Sequence, residues 1–189
     1  MTTPTEVLIE FTRVLEDLQI QYVVVGSFAS SARGVRRATV DVDIVADLTL
    51  DDVKAIVDRL SADYYIDDLA VRRAISSERA FNAIHLESMF KVDVHISGDS
   101  FTRKEMERRL PEKILPASET IVYIATAEDT VLAKLDWYRK GHEISEQQWT
   151  DVLGIIKVQH DRLEFAYMHE WAEELGVADL LDKAIAEAL

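Results

Sequence analysis

The sequence predicts an α/β protein: a mixed sheet flanked by helices, followed by a C-terminal helical bundle. Three observations carry this. Over the first two thirds of the 189 residues, short β-branched runs alternate with stretches of helical periodicity. From Thr126 onward the apolar spacing is helical to the end. Only six glycines and three prolines punctuate the chain, and neither low-complexity sequence nor an internal repeat interrupts it. The length suits one domain, or a core with a small appendage. The two parts meet near Ala125, so a core is expected over 1–125 and a helical region over 126–189. No linker composition marks the seam, which predicts that the helical region packs on the core.

Val7, Leu8, Phe11, Val14, Leu15 and Leu18 follow helical spacing and predict an amphipathic helix over Glu6 to Leu18. Tyr22 to Val25 is a β-branched run ended by Gly26, which fits a buried strand. A helix opens near Ser27 and runs to Arg33. Asp41 to Ala46 reads as a second strand. Thr49 is placed to cap a helix with Asp51 and Asp52 in its first turn and Val53, Ile56, Val57 and Leu60 as its buried stripe. Short elements follow: a strand over Tyr64 to Ile66 and a helix over Asp68 to Ile75. Ala80 to Leu86 and Phe90 to Ile96 form a strand pair joined at Glu87 to Met89. A charged helix is expected over Phe101 to Leu110, then strands at Lys113 to Leu115 and Ile121 to Ile124. The final helices are Thr126 to Arg139, one opened by Ser145 with Gln148 in a capping-box pattern, Leu163 to Leu175, and Val177 to Leu189 beyond Gly176.

Charge and composition exclude several functions. Asp and Glu total 35 against 21 Lys and Arg, a net charge of −14, which argues against a nucleic-acid clamp driven by bulk charge. With no cysteine, disulfides, thiolate nucleophiles and thiolate zinc sites are ruled out. Met1 to Glu10 carry two glutamates and no basic residue, unlike a signal peptide. No apolar run reaches about 18 residues, so no membrane span is expected and the cytoplasm is the expected location.

The informative stretch is Val24-Val25-Gly26-Ser27 followed by Asp41-Val42-Asp43-Ile44. Strand residues two apart share a face, so Asp41 and Asp43 present two carboxylates together while Val42 and Ile44 face the core. Close carboxylates repel unless a cation bridges them. Hard oxygen ligands suit Mg²⁺ or Mn²⁺. Lys91-Val92-Asp93-Val94-His95-Ile96 repeats the alternation of polar and aliphatic residues. If its strand lies beside the first, Asp93 becomes a third carboxylate. Three carboxylates can hold two metal ions about 3.5–4 Å apart for in-line phosphoryl displacement. Gly26 and Ser27, at the end of a strand and the start of a helix, offer backbone N–H groups and a hydroxyl as an anion cradle.

Gly26-Ser27, Asp41-x-Asp43 and the later Asp93 resemble the signature of the nucleotidyltransferase superfamily related to DNA polymerase β. The fuller string from Gly26-Ser27-Phe28-Ala29 through Gly34-Val35-Arg36-Arg37-Ala38-Thr39-Val40 to Ile44 is similar to minimal bacterial members, including AbiEii-type toxin nucleotidyltransferases. Ala127-Glu128-Asp129, Lys134 to Arg139 and Trp149 to Leu153 resemble the C-terminal segment of the same group, so the likeness spans roughly residues 5 to 175. It implies a metal-dependent transfer of a nucleoside monophosphate from a nucleoside triphosphate to an acceptor hydroxyl, with release of pyrophosphate. It further implies that Asp41, Asp43 and Asp93 bind metal, with Asp93 helping to activate the acceptor. Gly26 and Ser27 would contact the triphosphate, Lys134 would reach the phosphates, and Asp151 would orient it. No accessory RNA-binding domain or acceptor motif is recognisable, so RNA, protein and small molecules all remain open as acceptor.

Plainer roles stand beside these. Asp41, Asp43 and Asp93 could be solvated acids on an exposed sheet face, and Gly26-Ser27 a strand stop and helix cap. Lys134 could be a solvated helix lysine and Asp151 a surface acid. Arg33, Arg36 and Arg37 either pair with nearby acids or contact phosphate or acceptor. Lys91 and His95 share the Asp93 face at the rim of the site, where Lys91 could contact acceptor or phosphate and His95 suits a structural hydrogen bond. Trp137, Tyr138, Trp149 and Trp171 suit packing rather than base stacking. Three rival functions remain: a toxin acting with an antitoxin protein, a nucleotide-binding module without turnover, and an enzyme modifying a small molecule such as an antibiotic. The acidic surface suits a cationic small acceptor better than tRNA.

Overall fold

Thr3 opens the first helix with a reciprocal cap. Its side chain accepts from the Glu6 N–H, and its own N–H donates to Glu6 Oε2 at 2.7 Å. The helix, α1, spans Pro4–Asp17 and starts two residues earlier than the apolar spacing predicts, because proline is well suited to a first helical turn. It buries Val7, Leu8, Phe11 and Leu15. The computed structural model describes residues 2–35, 41–115 and 120–189.

The chain divides into two compact units. The first comprises Met1–Ser27 and Thr39–Ile124, the second Phe28–Ala38 and Ala125–Leu189. A single cut near Ala125 is expected from the sequence. The structure cuts there and also groups Phe28–Ala38 with the helical unit.

In the first unit, β1 (Tyr22–Val25) leads into α2 (Gly26–Arg33), the helix within which the division falls. Then come β2 (Asp41–Ala46), α3 (Val53–Leu60), β3 (Tyr64–Tyr65), α4 (Asp68–Ser77), β4 (Ala80–His85), β5 (Lys91–Ile96), α5 (Ser100–Arg108), β6 (Leu110–Lys113) and β7 (Ile121–Ile124). The seven strands form one sheet in the order β3-β4-β5-β2-β1-β7-β6. β2 and β5 are parallel, as are β1 and β7, and the remaining neighbours are antiparallel. Alternation decides which face is core. Val42, Ile44, Val92 and Val94 are fully buried, while Asp41, Asp43, Lys91, Asp93 and His95 stand on the other face with partial or full exposure.

Two expectations are corrected by local chemistry. The strand expected at Lys113 to Leu115 is β6, and it begins at Leu110, which the helical pattern had claimed. Pro111 disfavours the helical conformation for the residue before it, so Leu110 turns extended and pairs with Ile124. Thr49 does not cap α3 as an acceptor. It donates its N–H and hydroxyl to Asp52 Oδ2 at 2.8 and 2.6 Å, and α3 starts only at Val53. The carboxylate is the stronger acceptor and takes both donors.

Burial pushes the phenols of Tyr22 and Tyr64 well above the ordinary tyrosine range, and the Tyr22 bond to Glu16 at 2.7 Å adds to its shift. Their folded-state values therefore lie above the unfolded value of about 10. The stability this contributes is fully present below pH 10 and is lost as pH rises beyond it. Ultraviolet titration should show these two of the six tyrosines ionising only with unfolding. A Tyr22→Phe/Tyr64→Phe variant should match the wild-type absorbance change below the alkaline transition. A smaller change in the variant would mean that the two phenols titrate in the native fold.

The second unit carries α6 (Ala127–Lys140), α7 (Glu146–Gln159), a 3₁₀ turn at His160–Arg162, α8 (Phe165–Glu174) and α9 (Ala178–Ala188). Thr126 caps α6 by accepting from the Asp129 N–H at 3.1 Å. Glu128 and Asp129, in the first turn of α6, are buried. Asp129 accepts from the Tyr167 hydroxyl at 2.5 Å, and Glu128 accepts from the Glu164 N–H at 3.1 Å, so both acids tie α6 to the start of α8. Gly176, at φ +69°, closes α8 in the left-handed region. Among the described residues, no helix is long and apolar enough to cross a membrane.

Candidate functional site

In the first unit, the parallel register of β2 and β5 sets Asp43 directly beside Asp93 and Asp41 beside Lys91. Residues in register share a face, and so do residues two apart on one strand. Asp41, Asp43, Lys91, Asp93 and His95 therefore project from the same side of the sheet. The core pattern requires this, because a one-residue slip would turn the aliphatic residues outward.

Gly26 meets this face at the end of β1. Val25 is the register partner of Asp43, and the chain then turns into α2 with Gly26 at φ +61°. A Cβ at Gly26 would lie 2.1 Å from Asp43 Oδ2 and within 3 Å of the carboxyl carbon. Glycine is thus required twice, by backbone conformation and by the carboxylate lying against it. The Asp43 carboxylate sits at the start of α2, where the helix dipole favours negative charge. Gly26→Ala should lower stability by about 1–3 kcal/mol through strain and overlap. Urea unfolding checks this, and a change below about 0.5 kcal/mol would contradict the contact.

Electrostatics on the face centre on Lys91. Its Nζ lies 2.7 Å from Asp93 Oδ2. Its hydrogen bond to the Asp93 carboxylate holds the ammonium above the ordinary lysine range, and the charges of Asp93, Asp41 and Asp43 add to it against partial desolvation. His95 Nε2 is 3.8 Å from Asp43 Oδ1, too far for a hydrogen bond. Among the described residues, no three acidic or histidine side chains are grouped as around a metal ion. The donor set itself is three hard carboxylates, which suits Mg²⁺ or Mn²⁺.

The second unit gathers a different set. Lys134 and Asp151 form an ion pair at 2.9 Å, with only 7% and 8% of their side chains exposed. Lys134 also donates to Gln148 Oε1 at 3.3 Å. Asp151 accepts from Gln147 Nε2 at 2.9 Å and from the Ser30 hydroxyl at 3.4 Å. Lys134 is thus not a solvated helix lysine, and Asp151 is not a surface acid. Arg33 Nε donates to the Ala125 carbonyl at 2.8 Å, and Gln159 donates to the Arg33 carbonyl. Arg36 and Arg37 lie outside the described residues.

Sequence reasoning missed Ser30 and Gln147, which carry no motif signal. Gln148 was visible only as the far member of a capping box. Its N–H does donate to Ser145, at 3.3 Å, while its side chain turns to Lys134. Of the aromatic residues, Trp149 packs on Tyr138 at 5.4 Å and donates to Glu187, and Trp171 lies near Tyr167. Trp137 is exposed.

No family profile matches the chain, and no curated protein matches it in sequence. Solved structures do match. A lincomycin-bound lincosamide antibiotic adenylyltransferase, LnuA, is similar at a TM-score of 0.53 and 12% identity, over 84% of this chain and 99% of that one. A nucleotidyltransferase-like antigenic protein from Paracoccidioides brasiliensis is similar at 0.55 and 13% identity, over 95% and 90% of the two chains. The chain has the nucleotidyltransferase fold. The likeness at this identity extends to the fold and leaves the AbiEii-type resemblance where the sequence put it. Within this nucleotidyltransferase fold, the shared face of β2 and β5 and the glycine turn after β1 lie in the same unit.

Proposed function

We propose that the protein transfers a nucleoside monophosphate from a nucleoside triphosphate to an acceptor hydroxyl. The observation that carries this reading is the pairing of Asp43 with Asp93 in register, with Asp41 on the same face and Gly26 packed against Asp43. The acceptor oxygen forms a bond to the α-phosphorus. The bond from that phosphorus to the bridging oxygen breaks, and pyrophosphate leaves with the electron pair. Asp93 would take the hydroxyl proton. Gly26 and Ser27 bring backbone N–H groups to the phosphates at the start of α2. Asp41, Asp43 and Asp93 would hold Mg²⁺ or Mn²⁺, which when bound neutralises charge developing on the phosphate oxygens. The rest of the work is positioning and charge complementarity.

A small cationic molecule is the acceptor we favour. The net charge of −14 repels polyanions and attracts cations, and one structure of the same fold belongs to an antibiotic adenylyltransferase. The test is incubation with each α-labelled nucleoside triphosphate and Mg²⁺, with lincosamides, aminoglycosides, total RNA and total protein as separate acceptors. Label on a small molecule supports this reading. Label on RNA or protein instead would overturn the acceptor class and favour a toxin-type activity held in check by an antitoxin partner. No label on any acceptor, with intact triphosphate, would favour a binding module.

A further inference from the structure

Three carboxylates on one sheet face repel one another unless positive charge lies among them. In this protein the chain supplies that charge itself. Lys91 is the register partner of Asp41, precedes Asp93 by two residues and projects from the same face. Its Nζ bonds Asp93 Oδ2 at 2.7 Å, within the field of Asp41 and Asp43. The bond occupies one of the two oxygens that Asp93 could offer a divalent ion and sets a positive charge beside the other. The Lys91 side chain is 40% exposed, so its flexible stem has room to swing the ammonium into solvent.

We propose that Lys91 is the resident counter-ion of the Asp41, Asp43 and Asp93 face, and that a divalent ion loads onto Asp93 only as the Lys91 ammonium leaves it. The identity of the ion's ligands rests on the nucleotidyl-transfer reading above; the exchange with Lys91 goes beyond it. The lysine keeps the face intact while no ion is bound, and it sets the affinity at which the ion enters. A triphosphate arriving with its own ion gives the displaced ammonium a new anion to pair with, so ion entry and triphosphate entry reinforce each other.

The test is calorimetric titration of the full chain with Mn²⁺ at low ionic strength, for wild type, Lys91→Met, Lys91→Gln and Lys91→Arg, with circular dichroism to confirm each fold. Removing the competing charge should tighten Mn²⁺ binding about threefold or more in the Met and Gln variants. The Arg variant keeps the charge and should stay near wild type. Raising the salt concentration should shrink the difference. Unchanged or weaker Mn²⁺ binding in both neutral variants would overturn the proposal and leave nucleotidyl transfer standing. Tightening in the Arg variant equal to that in the neutral variants would overturn it as well. Absence of Mn²⁺ binding in all four proteins would overturn the metal site itself, and the counter-ion exchange with it.

Discussion

Asp43→Asn is expected to reduce nucleotide transfer at least about a hundredfold while leaving the melting temperature of the metal-free protein unchanged or slightly raised. The substitution keeps size and shape and removes one negative charge. Asp43 faces Asp93 across the β2–β5 pair, with Asp41 on the same face, so losing its charge relieves repulsion in the absence of an ion. It also gives up some attraction to the Lys91 ammonium, in whose field it lies, and His95 Nε2 at 3.8 Å is too far for a hydrogen bond, so any gain in the metal-free protein is small. A structural aspartate serving core hydrogen bonds would behave oppositely and lose about 1–3 kcal/mol. Melting curves with and without Mg²⁺ and nucleoside triphosphate separate the two. Wild type should gain stability from the ligands by mass action, and Asp43→Asn should not. An equal gain in both would remove Asp43 from the metal site.

Asp151→Ala should be the most destabilising single change in the second unit, at about 3–5 kcal/mol. Among the described residues it leaves the Lys134 ammonium, 7% exposed, with the Gln148 amide oxygen as its partner, and an amide oxygen does not balance a buried charge. It also removes the acceptor used by Gln147 and Ser30. At this chain length the loss corresponds to a fall in melting temperature of roughly 6–20 °C. The double change Lys134→Met/Asp151→Leu should recover most of the stability, because a buried pair is often replaceable by apolar residues of similar volume. Thermal unfolding of the single and double variants checks both expectations. A loss below about 1 kcal/mol in Asp151→Ala would show that the pair is solvated in solution.

The sequence carried the carboxylate face further than the cluster around Lys134. Asp41 and Asp43 could be put on one side because strand periodicity is local and their neighbours Val42 and Ile44 are core residues. Asp93 needed long-range information, namely that β5 lies beside β2. Only the matching aliphatic alternation hinted at this. The bond from Lys91 to Asp93 fits their spacing of two on one strand, yet the sequence offered Lys91 only as a rim residue and an acceptor or phosphate contact. The packing of Asp43 on Gly26 depends on the antiparallel register of β1 and β2, and no local pattern specifies that register. In the helical unit the periodicity located the helices but not their charged interior. Glu128 and Asp129 fall in the first turn of α6, where acids are commonly exposed, and the packing of α8 buries them. Leu110 shows how one residue overrides periodicity, since Pro111 alone converts the end of a helical pattern into a strand.

The central claim is that the shared face of β2 and β5 performs nucleotidyl transfer, and pyrophosphate release in wild type and Asp93→Asn tests it most directly. The measurement uses Mg²⁺, each nucleoside triphosphate and the acceptor set named above. Wild type should release one pyrophosphate for each nucleoside monophosphate found on acceptor, and Asp93→Asn should release at least about a hundredfold less at unchanged fold. Equal pyrophosphate release by the two proteins would contradict the claim, because the carboxylate beside Asp43 would then take no part in the reaction.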